Sequence, residues 1–249
     1  MIELVNVSKA YGTNPHALFD ITLRVEKGEF LYLFGPNGAG KTTLLKLLYG
    51  AERPTAGEVR VNGFDLTRLK PRKFPQLRRS LGLVFQELKL LPRRTAYDNV
   101  TFALEVLGAD RGEVMKKANQ ALRLVGLEWR GSCIPAQLSA GEQQRLAIAR
   151  AIVNEPVLLL ADEPTGNLSL TAAEEIMRLF EKINLRGTTV VLATHNEGLI
   201  SMWPKEKILL EQGRLVDGSF PSSLAPVIES QGHQGIIPRE TQGQEEREV

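Results

Sequence analysis

Phe30-Leu-Tyr-Leu-Phe-Gly35-Pro-Asn-Gly-Ala-Gly-Lys41-Thr42 is the stretch on which the fold turns. An apolar run, Phe30–Phe34, passes directly into G-x-x-x-x-G-K-T, and Lys41–Tyr49 continues with helical character. Strand, glycine-rich turn and helix in that order are the setting in which this motif grips phosphate. Its glycines let the chain wrap closely, so successive backbone N–H groups converge on phosphate oxygens. The helix start adds partial positive charge at the same place. Lys41 suits the β- and γ-phosphates, and the Thr42 hydroxyl suits Mg2+. Gly35, Pro36, Asn37, Gly38, Ala39, Gly40, Lys41, Thr42 and Thr43 are therefore the candidate nucleotide-binding residues.

Such a loop serves kinases, GTPases and ATPases alike, and the second half of the chain narrows the choice. Val157-Leu-Leu-Leu-Ala-Asp162-Glu163 reads as a buried strand ending in two carboxylates. Side chains alternate along a strand, so the adjacent acids can take different tasks. Asp162 suits the surroundings of Mg2+, and Glu163 suits orienting an attacking water. Leu138-Ser-Ala-Gly-Glu-Gln-Gln-Arg145 holds a capping box, Ser139 with Glu142, ahead of the apolar stripe Leu146, Ala149, Ile152 and Val153. A helix mouth of this kind also attracts anions.

Outward from these motifs the pattern is α/β. Phe19, Ile21, Leu23 and Val25 alternate with polar residues, and Glu58–Val61 ends in the hairpin dipeptide Asn62-Gly63. Leu81–Phe85, Val157–Ala161 and Thr189–Ala193 are unbroken apolar runs, as for parallel strands covered on both faces. Helical stripes occupy Val114–Val125, closed by Gly126, and Ile176–Ile183, closed before Gly187. The expectation is a cassette over 1–220 with a helix-rich insertion near 88–153, followed by a mostly disordered tail over 221–249.

Composition sets the outer limits. The 249 residues are 43% hydrophobic with a formal net charge of +2, which excludes wholesale disorder and gives no basic field typical of nucleic-acid binders. No apolar run approaches the roughly 20 residues that span a bilayer. The single cysteine, Cys133, cannot form an internal disulfide and favours a reducing compartment.

The P-loop, the Leu138–Arg145 signature, the Asp162-Glu163 strand end and a downstream Thr194-His195, in that order, resemble the ATP-binding cassette (ABC) ATPases over about residues 1–218. The resemblance implies a P-loop NTPase core with an antiparallel N-terminal β section and an inserted helical subdomain. It implies ATP and Mg2+ as ligand and cofactor, and an adenine-stacking role for Tyr11. Gln86 would touch Mg2+ and water, joining Thr42 and Asp162 as metal-associated residues, and His195 would contact the γ-phosphate. Two cassettes would pair head to tail on ATP, each site being closed by Ser139, Gly141 and Glu142 of the other.

Within the family, Pro75-Gln-Leu-Arg-Arg79 and Lys41–Tyr49 are most similar to the cassettes of bacterial cell division. Such a subunit would sit on the cytoplasmic face of the inner membrane and drive an integral membrane partner that governs cell-wall hydrolases. Leu160–Leu168 and Gly187–His195 equally suit cassettes of lipoprotein release and macrolide export. The partner is expected to dock near Leu88, Leu90, Leu91 and Pro92. Two positions depart from the family pattern: Ala140 replaces the first signature glycine, and Ser169 replaces an aspartate, so turnover is expected to be slow.

Overall fold

The computed structural model describes residues 1–12 and 14–216, so the tail expected over 221–249 lies outside the described residues. Two sheets share the work. Strands β1 (Ile2–Tyr11), β2 (Asn14–Val25), β4 (Ala56–Val61) and β5 (Phe64–Asp65) form an antiparallel sheet in the order β2-β1-β4-β5. The second sheet has six strands. It is built from β3 (Phe30–Phe34), β6 (Leu81–Val84), β7 (Leu158–Asp162), β8 (Thr189–Thr194), β9 (Glu206–Glu211) and β10 (Arg214–Leu215), in the order β10-β9-β3-β8-β7-β6. Its strands run parallel except for the β9–β10 hairpin. The β4–β5 turn is the expected hairpin, with Asn62 and Gly63 at φ 48° and 79°.

Burial explains why the central strands are apolar throughout. Phe30 and Tyr32 of β3 face one core, whereas Leu31 and Leu33 face the other. The same division separates Leu159 from Leu158 and Leu160 in β7, and Val190 and Leu192 from Val191 and Ala193 in β8. With neither face wet, alternation has no polar partner to display. The first core holds α3 (Ala96–Glu105), α4 (Arg111–Leu124), α5 (Ala140–Ile152) and α6 (Leu170–Leu185). The second holds α1 (Lys41–Leu48) and the antiparallel sheet, together with α2 (Phe74–Arg79), anchored by the buried Leu77. A last short helix, α7 (Glu197–Met202), follows β8.

Caps set the helix starts. Thr95 and Asp98 form a capping box on α3, and Asp110 accepts from Gly112 and Glu113 on α4. Ser139 opens α5, with its hydroxyl accepting from the Glu142 N–H at 3.3 Å and the Glu142 carboxylate accepting from the Ser139 N–H at 2.8 Å. The helix α1 differs. Its N-cap is Gly40 in the left-handed region, with no side-chain cap, so its first N–H groups are offered to whatever the loop binds.

Candidate active site

Parallel strands open their C-terminal ends on one edge of the sheet, where ligands of open α/β sheets collect. The register sets Phe34 opposite Thr194, Asp162 opposite Ala193 and Val84 opposite Ala161, which levels the ends of β3, β8, β7 and β6. The glycine-rich loop leaves β3, Asp162 closes β7, His195 follows β8, and Gln86 lies two residues beyond β6. Between them is a cavity of about 430 Å3, lined by Asn37, Gly38, Gly40, Lys41, Thr42, Thr43, Gln86, Asp162, Glu163, Gly166, Asn167 and His195.

Close backbone approach fixes the loop. A Cβ at Gly35 would lie 2.1 Å from the Leu210 carbonyl oxygen, and one at Gly40 would lie 2.7 Å from that of Ala17. Ala39 is buried behind the loop, and its carbonyl accepts from the Gly213 N–H at 3.0 Å. The Lys41 ammonium donates to the carbonyls of Gly35 at 2.7 Å and Pro36 at 3.1 Å, and stands 3.4 Å from Glu163 Oε1. The loop thus holds its cation at the strand end with its own carbonyls. Incoming phosphate oxygens would exchange for these weaker acceptors.

The two acids diverge, as their expected tasks require, but by a different device. Only Asp162 belongs to β7. Glu163 has left the strand at φ 46°, a strained conformation for a residue with a side chain. That turn, rather than strand alternation, sends Glu163 toward His195, whose Nδ1 lies 2.8 Å from Oε1. Against an ionised carboxylate, which only accepts, Nδ1 carries the proton and Nε2 is left for another partner. Asp162 instead accepts from the Thr42 hydroxyl at 2.8 Å. Burial raises the Asp162 pKa, opposed by the Thr42 hydrogen bond and reinforced by the neighbouring Glu163 charge.

Asp162 Oδ1 and Glu163 Oε2 are buried and have no hydrogen-bond partner among the described residues. Orphaned carboxylate oxygens are costly unless a ligand completes them. Hard oxygen donors at Asp162 and Thr42 fit Mg2+, which takes one or two carboxylates and otherwise keeps substrate phosphates and water. Among the described residues there is no group of three or more His, Cys, Asp or Glu that could hold a metal unaided.

Not every expected residue reaches the cavity. Ser139, Gly141 and Glu142 are outside its lining, at the mouth of α5. Tyr11 is outside it as well, at the end of β1 with the Lys9 ammonium 4.8 Å from its ring centre. Conversely, Gly166 and Asn167 line the cavity, although neither was among the candidate site residues. The same segment continues to Ser169, which caps α6, and a Cβ at Gly141 would lie 3.5 Å from that of Ala172. The mouths of α5 and α6 therefore stand side by side.

The ABC transporter family model matches residues 18–166, and the chain belongs to this family as an ATP-hydrolysing cassette. It is similar to the cell-division ATP-binding protein FtsE of Bacillus subtilis strain 168, at 46% identity over 216 residues, covering 87% of this chain and 95% of the relative. The FtsE of Escherichia coli K12 is 48% identical over 218 residues, covering 88% and 98%. Among solved structures, a dimeric ATP-binding cassette in a post-hydrolysis state with ADP and Pi aligns with a TM-score of 0.78 at 36% identity, covering 86% of this chain and 96% of that one. The cbiO1 protein of Clostridium perfringens aligns at 0.80 and 28%, covering 86% of each chain.

Proposed function

We propose that this chain is the cytoplasmic ATPase subunit of a bacterial cell-division complex, peripheral to the inner membrane and paired with an FtsX-type membrane partner that regulates cell-wall hydrolases. The observation that carries the reading is the convergence of Lys41, Thr42, Gln86, Asp162, Glu163 and His195 on one cavity, with Ser139 and Gly141 outside it at the mouth of α5. A signature that lies outside the cavity of its own chain is what a shared site between two copies requires. The similarity to FtsE over nearly the whole of that relative supplies the biological setting.

In this reading the N–H groups of the loop and the Lys41 ammonium neutralise the β- and γ-phosphates. Thr42, Asp162 and Gln86 would hold Mg2+, which would supply charge screening for phosphoryl transfer. Glu163 orients the attacking water, and His195 supports Glu163 through Nδ1 while presenting Nε2 to the γ-phosphate. Tyr11 stacks on adenine. Ser139, Gly141 and Glu142 of a second copy close the site, so that ATP joins two cassettes and hydrolysis parts them. Ala140 is exposed at the first turn of α5, so in the closed dimer its methyl group would crowd the phosphate held by the other copy. This favours slow turnover.

The membrane partner docks in a groove of about 540 Å3 floored by Leu81, Leu83 and Phe85 and edged by Leu91, which leaves the exposed Phe102 and Val106 at its outer rim. Of the residues expected to dock it, Leu91 lines this groove, whereas Leu90 packs on the core and Leu88 lends its carbonyl to Arg150. The test is the mass in solution of Glu163→Gln with and without ATP. An ATP-dependent dimer is expected. A monomer that retains bound ATP, alone and with the membrane partner, overturns the shared site.

A further inference from the structure

The cations of this chain are unevenly placed. The 29 residues Leu66–Arg94 carry nine Lys and Arg against one carboxylate, Glu87, whereas the rest of residues 1–216 carries 20 cations and 22 carboxylates. The whole positive surplus of the described residues lies in one segment. That segment contains the turn Pro71–Lys73, α2, β6 and the loop into α3. Arg68, Lys70, Arg72, Lys73, Arg79 and Arg94 are all exposed. Arg68 has only a 3.9 Å approach to Asp65, and the other five make no ion pair among the described residues.

Fold stability does not account for them. The burial that fixes α2 comes from Leu77, and of the segment's cations Arg78 donates to the carbonyls of Tyr49 and Gly50 and Lys89 pairs with Glu87. Like charges this close repel, and natural surfaces usually intersperse the signs. The cations also border apolar surface. Arg79 and Lys89 line the apolar groove between α2 and α3, and at its rim Phe102 of α3 and Val106, its C-cap, are 43% and 63% exposed.

We propose that this face binds the anionic phospholipid surface of the membrane directly, with the headgroup phosphates against the cations of 68–94 and the apolar rim at the bilayer boundary. Basic clusters next to exposed apolar side chains are the combination that binds anionic bilayers. A nucleic acid would be attracted by the charge but would gain nothing from Phe102 and Val106. The reading goes beyond the proposed partner complex, relying on it only for the presence of a membrane nearby.

The experiment is co-sedimentation of the purified chain with vesicles, without any membrane protein. Vesicles containing phosphatidylglycerol are expected to bind it at low salt and release it as salt rises, whereas pure phosphatidylcholine vesicles are not. Each cation near an anionic surface strengthens binding about fivefold. The triple variant Lys70→Glu, Arg72→Glu, Lys73→Glu is therefore expected to bind at least about a hundredfold more weakly at unchanged thermal stability. The triple variant Arg111→Glu, Lys116→Glu, Arg186→Glu, also of exposed cations, is expected to bind like the parent. Equal binding to neutral vesicles, equal loss in both variants, or tighter binding to a DNA duplex at the same salt overturns the proposal. Because the vesicles carry no protein, such a failure leaves the partner complex standing, and failure of the Glu163→Gln dimer leaves the lipid result standing.

Discussion

Asp162 is a carboxylate kept where its charge is unwelcome until a ligand arrives. Its pKa is raised in the folded chain mainly by burial, so folding favours the protonated form. The stability this contributes is full below the ordinary carboxylate pKa of 3.8 and is lost as pH rises through the raised folded value. At neutral pH the ionised group therefore burdens the nucleotide-free protein. Asp162→Asn is expected to raise its thermal midpoint by roughly 2–4 °C, the shift that about 1 kcal/mol produces in a domain of this size. The gain shrinks as pH falls toward 4, and ATP turnover drops at least tenfold. Calorimetry across pH, paired with a phosphate-release assay, checks both. A variant that is both less stable and fully active would show that the carboxylate is not held at a cost for function. Glu163 follows the same logic through its backbone: its left-handed turn is strain that serves the contact with His195.

At the scale of elements, the two capping boxes on α3 and α5 use the same chemistry and differ only in what stands near them. Thr95→Ala and Ser139→Ala should each cost about 1 kcal/mol in denaturant unfolding. Only Ser139→Ala should also abolish the ATP-dependent dimer, because Thr95 faces Asp98 and no nucleotide. Equal effects of both on dimer formation would place the signature outside the closed site. Much of this level could be read in advance, because caps, apolar runs and the glycine-rich loop are local. What could not be read depends on contacts distant in sequence. In β1, the left-handed Asn6 and shifts of register break the alternation. The strand β9 begins with exposed Glu206 and Lys207 and qualifies by pairing with β3 on one side and β10 on the other. Asn99 was invisible as a single polar letter in α3. Buried, it accepts from the Leu91 N–H and donates to the carbonyls of Leu91, Arg94 and Thr95, and so shapes the loop beside the groove.

For the whole molecule, the helix α5 joins two places that do different things. Its first turn is the signature mouth. In its last turn Arg150 donates to the carbonyls of Leu88 and Lys89 at 2.7 and 2.6 Å, beside the groove. Arg150→Met keeps the hydrophobic bulk and removes both bonds. Basal ATPase activity is expected to stay within about threefold of the parent, because truncation distant from the reacting groups leaves them in place. Stimulation by the membrane partner should be lost, and paired assays with and without it decide the matter. Gly82 seats the same helix on the sheet, since a Cβ there would stand 2.6 Å from the Ala151 carbonyl oxygen. Thirteen residues at 1.5 Å each make α5 a stiff bar about 20 Å long, pinned near one end and free to swing little along its length. Pressure arriving at that pinned end is felt at the opposite tip as a change of aim, so a push from outside can be felt by a nucleotide it never touches.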